Sequence, residues 1–306
     1  MSRIQANLLL LVIALIWGSA FVAQSQGMAD VGPMLFTGVR FLIGAAVVAP
    51  LAWREWKQLA RQGKTPTATD ARHIGGLGLL MLAGAALQQV GIISTSVTNA
   101  GFLTALYVPL VPVLSWLWLR QLPHWSVWPG ALACLVGAFL LSGAHELNIG
   151  VGDLWVIASA LPWAVHVLFV GRVADKLAAP FLVACGQFLV CGSLALVYSL
   201  FMEPVSLKGL IAAAGPIAYT GVLSVGVAFT AQVVAQRYAH AADAAIILSS
   251  ETLFAAVFGY LMMGDRLNPA GFAGCALILG SMLVIQLLPL FRMGRHKPAS
   301  VLDHPV

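Results

Sequence analysis

Residues 74–119 read IGGLGLLMLAGAALQQVGIISTSVTNAGFLTALYVPLVPVLSWLWL, forty-six positions without one Asp, Glu, Lys or Arg. A membrane-crossing helix needs about 20 apolar residues to cover a hydrocarbon core of ~30 Å, so this run is too long for one span and holds two. Its only polar break is Ser94-Thr95-Ser96-Val97-Thr98-Asn99. The same emptiness recurs between Arg3 and Asp30 and between Lys208 and Arg237. Over all 306 residues, hydrophobic side chains make up 60% and charged ones 9%, against about 25% charged in soluble domains. That balance excludes a soluble domain, a disordered chain and, in spite of a net charge of +5, a nucleic-acid binder. The expected class is an all-α integral membrane protein whose surroundings are the lipid bilayer.

Working outward, Pro, Gly and charge punctuate ten spans: Asn7–Gln26, Pro33–Trp53, Ile74–Ser94, Thr98–Leu119, Ser126–Ala144, Asp153–Gly171, Pro180–Met202, Ala213–Gln236, Asp243–Met263 and Pro269–Leu290. Loop charge orients them. With the N-terminus in the cytoplasm, inner segments hold Arg3, Arg54, Lys57, Arg61, Lys64, Arg72, Arg120, Arg172, Lys176, Arg237, Arg292, Arg295 and Lys297. Outer segments hold only Lys208 and Arg266. Thirteen against two places both termini in the cytoplasm by the positive-inside rule. Arg3 followed by an apolar run to Ala23 imitates a secretory signal, but the repeat described next needs this helix. Seven of the nine tryptophans (Trp53, Trp56, Trp116, Trp118, Trp125, Trp128 and Trp155) lie near span ends as an interfacial belt. Trp17 and Trp163 lie mid-span and need another explanation. The four cysteines sit in apolar runs without a CxxC, so no disulfide framework or zinc site is expected.

Sliding the chain on itself brings those two tryptophans together. Ala14-Leu15-Ile16-Trp17 falls on Ala160-Leu161-Pro162-Trp163, a shift of 146. Pro33 through Arg40-Phe41-Leu42 falls on Pro180 through Gln187-Phe188-Leu189, a shift of 147. Gln88 falls on Gln232, Asn99 on Asp243, Tyr107 on Glu251 and Gly130 on Gly274, each shifted by 144. A shift this steady across five spans indicates duplication: a first five-helix repeat over 1–148, a second over 149–291, and a cytoplasmic tail over 292–306. Five is odd, so the second copy enters the membrane from the opposite face. Inverted repeats are a signature of secondary transporters, which bind cargo near the midplane between the halves. With both halves in one chain, a monomer is expected.

Ile16-Trp17-Gly18-Ser19-Ala20-Phe21, the Arg40-Phe41 of span two, and Ser250-Glu251-Thr252-Leu253-Phe254 followed by Gly264-Asp265-Arg266-Leu267 resemble the first, second and ninth helices of EamA-type drug/metabolite transporters. No single motif is specific; their order and spacing together are, and the match runs to about Leu290. Thr252 stands where proline is usual, and Asp265 and Gln121 where glutamate is usual. The resemblance implies a ten-helix carrier, without cofactor or catalytic activity, exporting small metabolites across the bacterial inner membrane. More narrowly, the chain resembles the aromatic amino acid exporters of that family; drugs or other metabolites are the alternative cargo.

Helical spacing groups the candidate cargo contacts. Trp17, Ala20 and Gln24 form one stripe, and Ser159, Trp163 and His166 another, and the repeat sets the two facing each other. The two indoles either wall a cavity for an aromatic or aliphatic side chain or pack against neighbouring helices. Arg40 and Glu251 are the ionisable groups well inside spans, where burial is costly and function is the default expectation. Arg40 either contacts cargo or has a structural or gating role. Glu251 and His166 either exchange a proton with the cargo cycle or hydrogen-bond a neighbour. Gln88, Gln232 and Tyr107 complete the expected substrate-binding set, since amides facing lipid are expensive and point inward. Pro109, Pro112 and Pro162 interrupt helical bonding near these groups, as hinges or as fixed bends. No lysine lies within a span, which favours neutral or zwitterionic cargo. Gly150-Val151-Gly152-Asp153 is a literal GxGD, but aspartyl protease chemistry needs a second aspartate, and none occurs between Asp70 and Asp153. Asp153 is expected to be an N-cap. A channel or a non-transporting scaffold is the remaining alternative.

Overall fold

The computed structural model describes residues 1–122, 124–141, 150–264 and 269–293, and over these it is all-helical with no strand. The expected features at Asp265, Arg266, Arg295 and Lys297, and the end of span five at Ala144, lie outside the described residues. In chain order the elements are α1 (Arg3–Gly27), α2 (Pro33–Arg61), α3 (Ala68–Ile92), α4 (Val97–Thr104), α5 (Tyr107–Leu119), α6 (Val127–Leu141), α7 (Val151–Leu177) and α8 (Pro180–Met202). There follow α9 (Leu207–Ala212), α10 (Ala214–Tyr219), a π-helical segment Thr220–Phe229, α11 (Thr230–Ala235), α12 (Ala241–Leu248), α13 (Glu251–Phe258), a π-helical turn Gly259–Met263 and α14 (Pro269–Met293). Among the described residues, eight helical stretches are long and apolar enough to cross a membrane. The two others, α6 and α14, pack on each other, and their described apolar parts are shorter. The seven belt tryptophans are all exposed.

Helices α2 and α8 pack side by side. Each starts with proline at its first turn, where the missing N–H would have no partner anyway. Each start is closed by a carboxylate from the far end of the other: Glu203 accepts the Met34 and Leu35 N–H groups at 2.8 Å each, and Glu55 accepts the Leu182 N–H at 2.8 Å. Anions at helix N-termini satisfy orphan donors and oppose the helix dipole. Gly32 leaves room for this, because a Cβ there would lie 2.3 Å from Glu203 Oε2.

Spans four and nine are not continuous helices; the prolines of span four predict an interruption there, and nothing in span nine does. The first breaks at Ala105–Leu106, between α4 and α5, and the second at Ser249–Ser250, between α12 and α13. These positions are 144 residues apart. At the first break Pro109 offers no N–H to the Ala105 carbonyl four residues back and crowds it. At the second there is no proline. Instead the Ser249 and Ser250 hydroxyls donate to Ile246 O and Ile247 O, each at 2.7 Å, a local bond that competes with the helical ladder. Thr252 donates across to Gly101 O at 3.2 Å and ties the second break to α4. Pro162, by contrast, lies within an uninterrupted α7.

The π-helical segment Thr220–Phe229 lies against α2, with α1 also beside it. Its approach to α2 is close because glycine meets it: a Cβ on Gly44 would lie 2.3 Å from Val225 Cγ1. Small residues at such contacts let backbones approach where lipid supplies no hydrophobic drive between helices. Each residue count after Thr220 therefore turns the chain by less than an α-helix would.

Candidate functional site

A cavity of about 50 Å³ lies where the two broken helices meet α1, α2, α3, α7 and the π segment. Tyr107 opens α5 and Glu251 opens α13, so each stands at the start of a half-helix immediately after a break. Trp17, Ala20, Phe21 and Gln24 border the cavity from α1, Arg40 from α2, Gln88 from α3 and Thr104 from α4. Trp163 and Val167 border it from α7, Ser224 and Phe229 from the π segment, and Gln232 from α11. The structure thus gathers seven of the eight expected cargo contacts, Trp17, Ala20, Gln88, Tyr107, Trp163, Gln232 and Glu251, around one space.

His166 is the one it leaves out. Its ring is fully buried behind Trp163, edge-on to the indole with centroids 6.1 Å apart. Its Nε2 is 2.9 Å from Gln187 Oε1 on α8. Three residues along a helix is only approximately the same face, and the larger indole takes the inward position. Gln236 does not border this cavity; it donates to Val167 O on α7 at 3.0 Å. Pro162 sits one residue before Trp163 without bordering the space.

Between the two tryptophans the structure places a residue that sequence reasoning missed. The Phe229 ring lies 4.5 Å from Trp17, tilted by 49°, and 5.7 Å from Trp163, nearly parallel at 17°. Three aromatic faces therefore form one wall. The Trp17 indole N–H donates to Ser224 O in the π segment at 3.2 Å. The Trp163 indole N–H is buried without a partner among the described residues.

The polar side is partly satisfied from within. Arg40 donates through Nη1 to Gln24 Oε1 at 2.7 Å, and Gln24 Nε2 donates to Ala20 O at 3.2 Å. The guanidinium carbon stands 5.1 Å from the Phe41 ring and 5.6 Å from the Phe36 ring, within cation–π range. Gln88 donates to Thr104 Oγ1 at 2.8 Å, and that hydroxyl donates to Ala100 O at 2.7 Å. Gln232 Oε1 has no partner among the described residues. The ion pairs among the described residues are Arg3–Asp243 at 2.5 Å and Arg237–Asp175 at 3.5 Å. Neither Arg40 nor Glu251, exposed by only 3% and 4%, takes part in one.

A second space of about 770 Å³ opens beside the first, bordered by Arg3, Arg172, Asp175, Arg237, His240 and Asp243 among others, and Val167 borders both. Towards the opposite ends of α3 and α7, Asp153 accepts from Asn99 Nδ2 at 2.6 Å, from the Gly150 N–H at 2.9 Å and from the Thr95 hydroxyl. Asp153 is therefore not the expected N-cap. Gly150 is, and Asp153 bonds back to it from the third helical position.

Comparison with known proteins agrees over most of the chain. The model of the EamA-like transporter family matches residues 4–143 and again residues 150–287. An uncharacterized transporter of Archaeoglobus fulgidus is 28% identical over 288 residues, covering 93% of this chain and 87% of that protein. The uncharacterized transporter YoaV of Bacillus subtilis is 25% identical over 278 residues, covering 89% and 91%. A solved crystal structure superposes with a TM-score of 0.74 at 22% identity, covering 94% of this chain and 99% of that one, a likeness of fold.

Proposed function

The chain belongs to the EamA-like transporter family as a multi-pass membrane protein, and from that premise we propose that it exports small neutral metabolites, foremost aromatic and other neutral amino acids, by alternating access across the bacterial inner membrane. Cargo binds against Trp17, Phe229 and Trp163, with Glu251, Gln88 and Gln232 taking its polar end. Tyr107 contributes from the first break. His166 acts from behind Trp163 and Arg40 from the Gln24 side. No catalytic step or cofactor is part of this reading.

One observation carries it: two helix breaks 144 residues apart put Tyr107 and Glu251 on the same small cavity. Discontinuous helices meeting at a central site are how carriers present backbone groups and half-helix ends to cargo. The same spacing supports ten spans arranged as two inverted repeats. So do the reciprocal carboxylate caps of α2 and α8 and the family model's two matches. The packing adds to this, since α3 lies on α7 as α1 lies on the π segment, and α2–α8 and α6–α14 are each pairs of repeat mates. The loop charges supply the orientation, with both termini cytoplasmic. The cavity at about 50 Å³ is far below the roughly 300–1,000 Å³ of ligand sites, so cargo enters only as the halves part.

Uptake into proteoliposomes of the twenty amino acids, with and without a pH gradient, tests this reading. Uptake of aromatic or other neutral members above protein-free vesicles supports it. Uptake of none, in vesicles whose protein is folded, rejects the amino acid assignment. A dependence on the pH gradient that disappears in Glu251→Gln assigns the proton role to that carboxyl.

A further inference from the structure

Arg40 and Glu251 border one cavity, both almost wholly buried, and neither is ion-paired. Buried charge without a counterion is strongly destabilising, and two opposite charges in one cavity would ordinarily be expected to pair. Here each is held by a different contact with α1. The Glu251 backbone packs on Gly18 of α1, and the Arg40 guanidinium is held by Gln24 of the same helix. The Gln24 amide folds back onto Ala20 O, so the guanidinium is held beside the middle of α1, and it makes no ion pair with Glu251.

Two unpaired ends of opposite charge on one cavity match a definite ligand. In a free α-amino acid the ammonium nitrogen and a carboxylate oxygen are on the order of 3 Å apart. Its carboxylate and ammonium can each form a charge-assisted hydrogen bond of about 2.8 Å, one at each end. The guanidinium is prepared for its part: Nη1 is fixed by Gln24, the rings of Phe36 and Phe41 flank it, and Nη2 makes no hydrogen bond among the described residues. Glu251 likewise makes none among the described residues, and it stands where α13 begins.

We propose that Arg40 and Glu251 are the two ends of a zwitterion site, Arg40 taking the carboxylate of the cargo and Glu251 its ammonium group, so that the carrier selects free α-amino acids over derivatives lacking either charge. This rests on the central-site reading above. It assigns to Arg40 a cargo contact in place of a structural or gating role. The repeat mate of Arg40 is the neutral Gln187, which bonds His166 instead, so the site has one cationic end.

Competition against labelled L-phenylalanine in proteoliposomes of the full chain tests it, with L-phenylalaninamide and N-acetyl-L-phenylalanine as competitors. Wild type should favour phenylalanine over each derivative by roughly 10- to 100-fold, the range of one hydrogen bond to a charged group. Arg40→Gln should erase the preference over the amide and keep that over the N-acetyl compound, and Glu251→Gln should do the reverse. Arg40→Lys, which keeps the charge and loses the fork, should retain part of the preference, and the wild-type comparison stands even where a variant does not fold. Phenylalanine transport with all three compounds competing equally, or with both variants weakening all three alike, overturns the zwitterion site and leaves the carrier reading in place. If phenylalanine is neither bound nor carried while another class of solute is, the amino acid reading falls and this inference with it.

Discussion

Gly84 on α3 backs directly onto the indole of Trp163, and adding one methyl group there should disturb the site without altering any polar group in it. A Cβ at Gly84 would lie 2.8 Å from Trp163 Cδ2 and Cε2 and 3.1 Å from Nε1. Carbon atoms rest comfortably about 3.5–4.0 Å apart, so the indole must retreat by roughly 0.7–1.2 Å. It has little room, with Phe229 stacked 5.7 Å away and His166 edge-on at 6.1 Å. Overpacking of this kind costs about 1–3 kcal/mol, which corresponds to roughly 5- to 150-fold in apparent affinity if the strain falls on the bound geometry. Gly76 on the same helix is the control, since a Cβ there meets nothing within 4 Å and Ala only improves helix propensity, by up to about 1 kcal/mol. The assay pairs the melting midpoint of the purified protein with the half-saturation concentration for its best amino acid cargo. Gly84→Ala should raise half-saturation at least ~5-fold relative to Gly76→Ala. Equal midpoints and equal half-saturation in the two variants would refute the packing argument and the placement of Trp163 on the cargo path.

Glu203→Ala removes the acceptor of two N–H groups at the start of α2 and should cost about 1–2 kcal/mol of stability, read as a lowered midpoint; Glu203→Gln, keeping an acceptor, should lose less. Ala178 ends α7 in the left-handed region at φ 52°, and Ala178→Gly should stabilise the protein by about 1 kcal/mol, seen as a raised midpoint with unchanged transport. The loop charges predict that an impermeant maleimide labels Lys208→Cys in intact cells and Lys57→Cys only after permeabilisation. Three native cysteines are buried and give little background.

Much of the site was legible in the sequence because it rests on contrast. A tryptophan or an amide within an apolar run stands out, and the near-constant shift pairs Trp17 with Trp163 and Tyr107 with Glu251. Phe229 has no such contrast: a phenylalanine among fourteen in an apolar chain looks like any other packing residue. Gln24 was visible on the Trp17 stripe, but that it holds Arg40 emerges only in the folded chain. The break before Tyr107 has a sequence cause in Pro109. The one before Glu251 has no proline, since Thr252 occupies the position where proline is usual in the family, and the local Ser249 and Ser250 hydroxyl bonds leave a much weaker mark in the sequence. The asymmetry of the halves is physical as well. Arg40 borders the cavity and is held by Gln24, while its counterpart across the repeat, Gln187, bonds His166 behind an indole.

The central claim is a carrier whose cargo sits against Trp17 and Trp163, and counterflow measures it most directly. Proteoliposomes loaded with an unlabelled neutral amino acid should take up the labelled one in a saturable, trans-stimulated manner, and Trp17→Ala and Trp163→Ala should each raise half-saturation or abolish the flux. Flux that rises linearly with concentration and ignores the internal amino acid would mean a channel. Wild-type rate and affinity in both variants would mean that the cargo binds elsewhere.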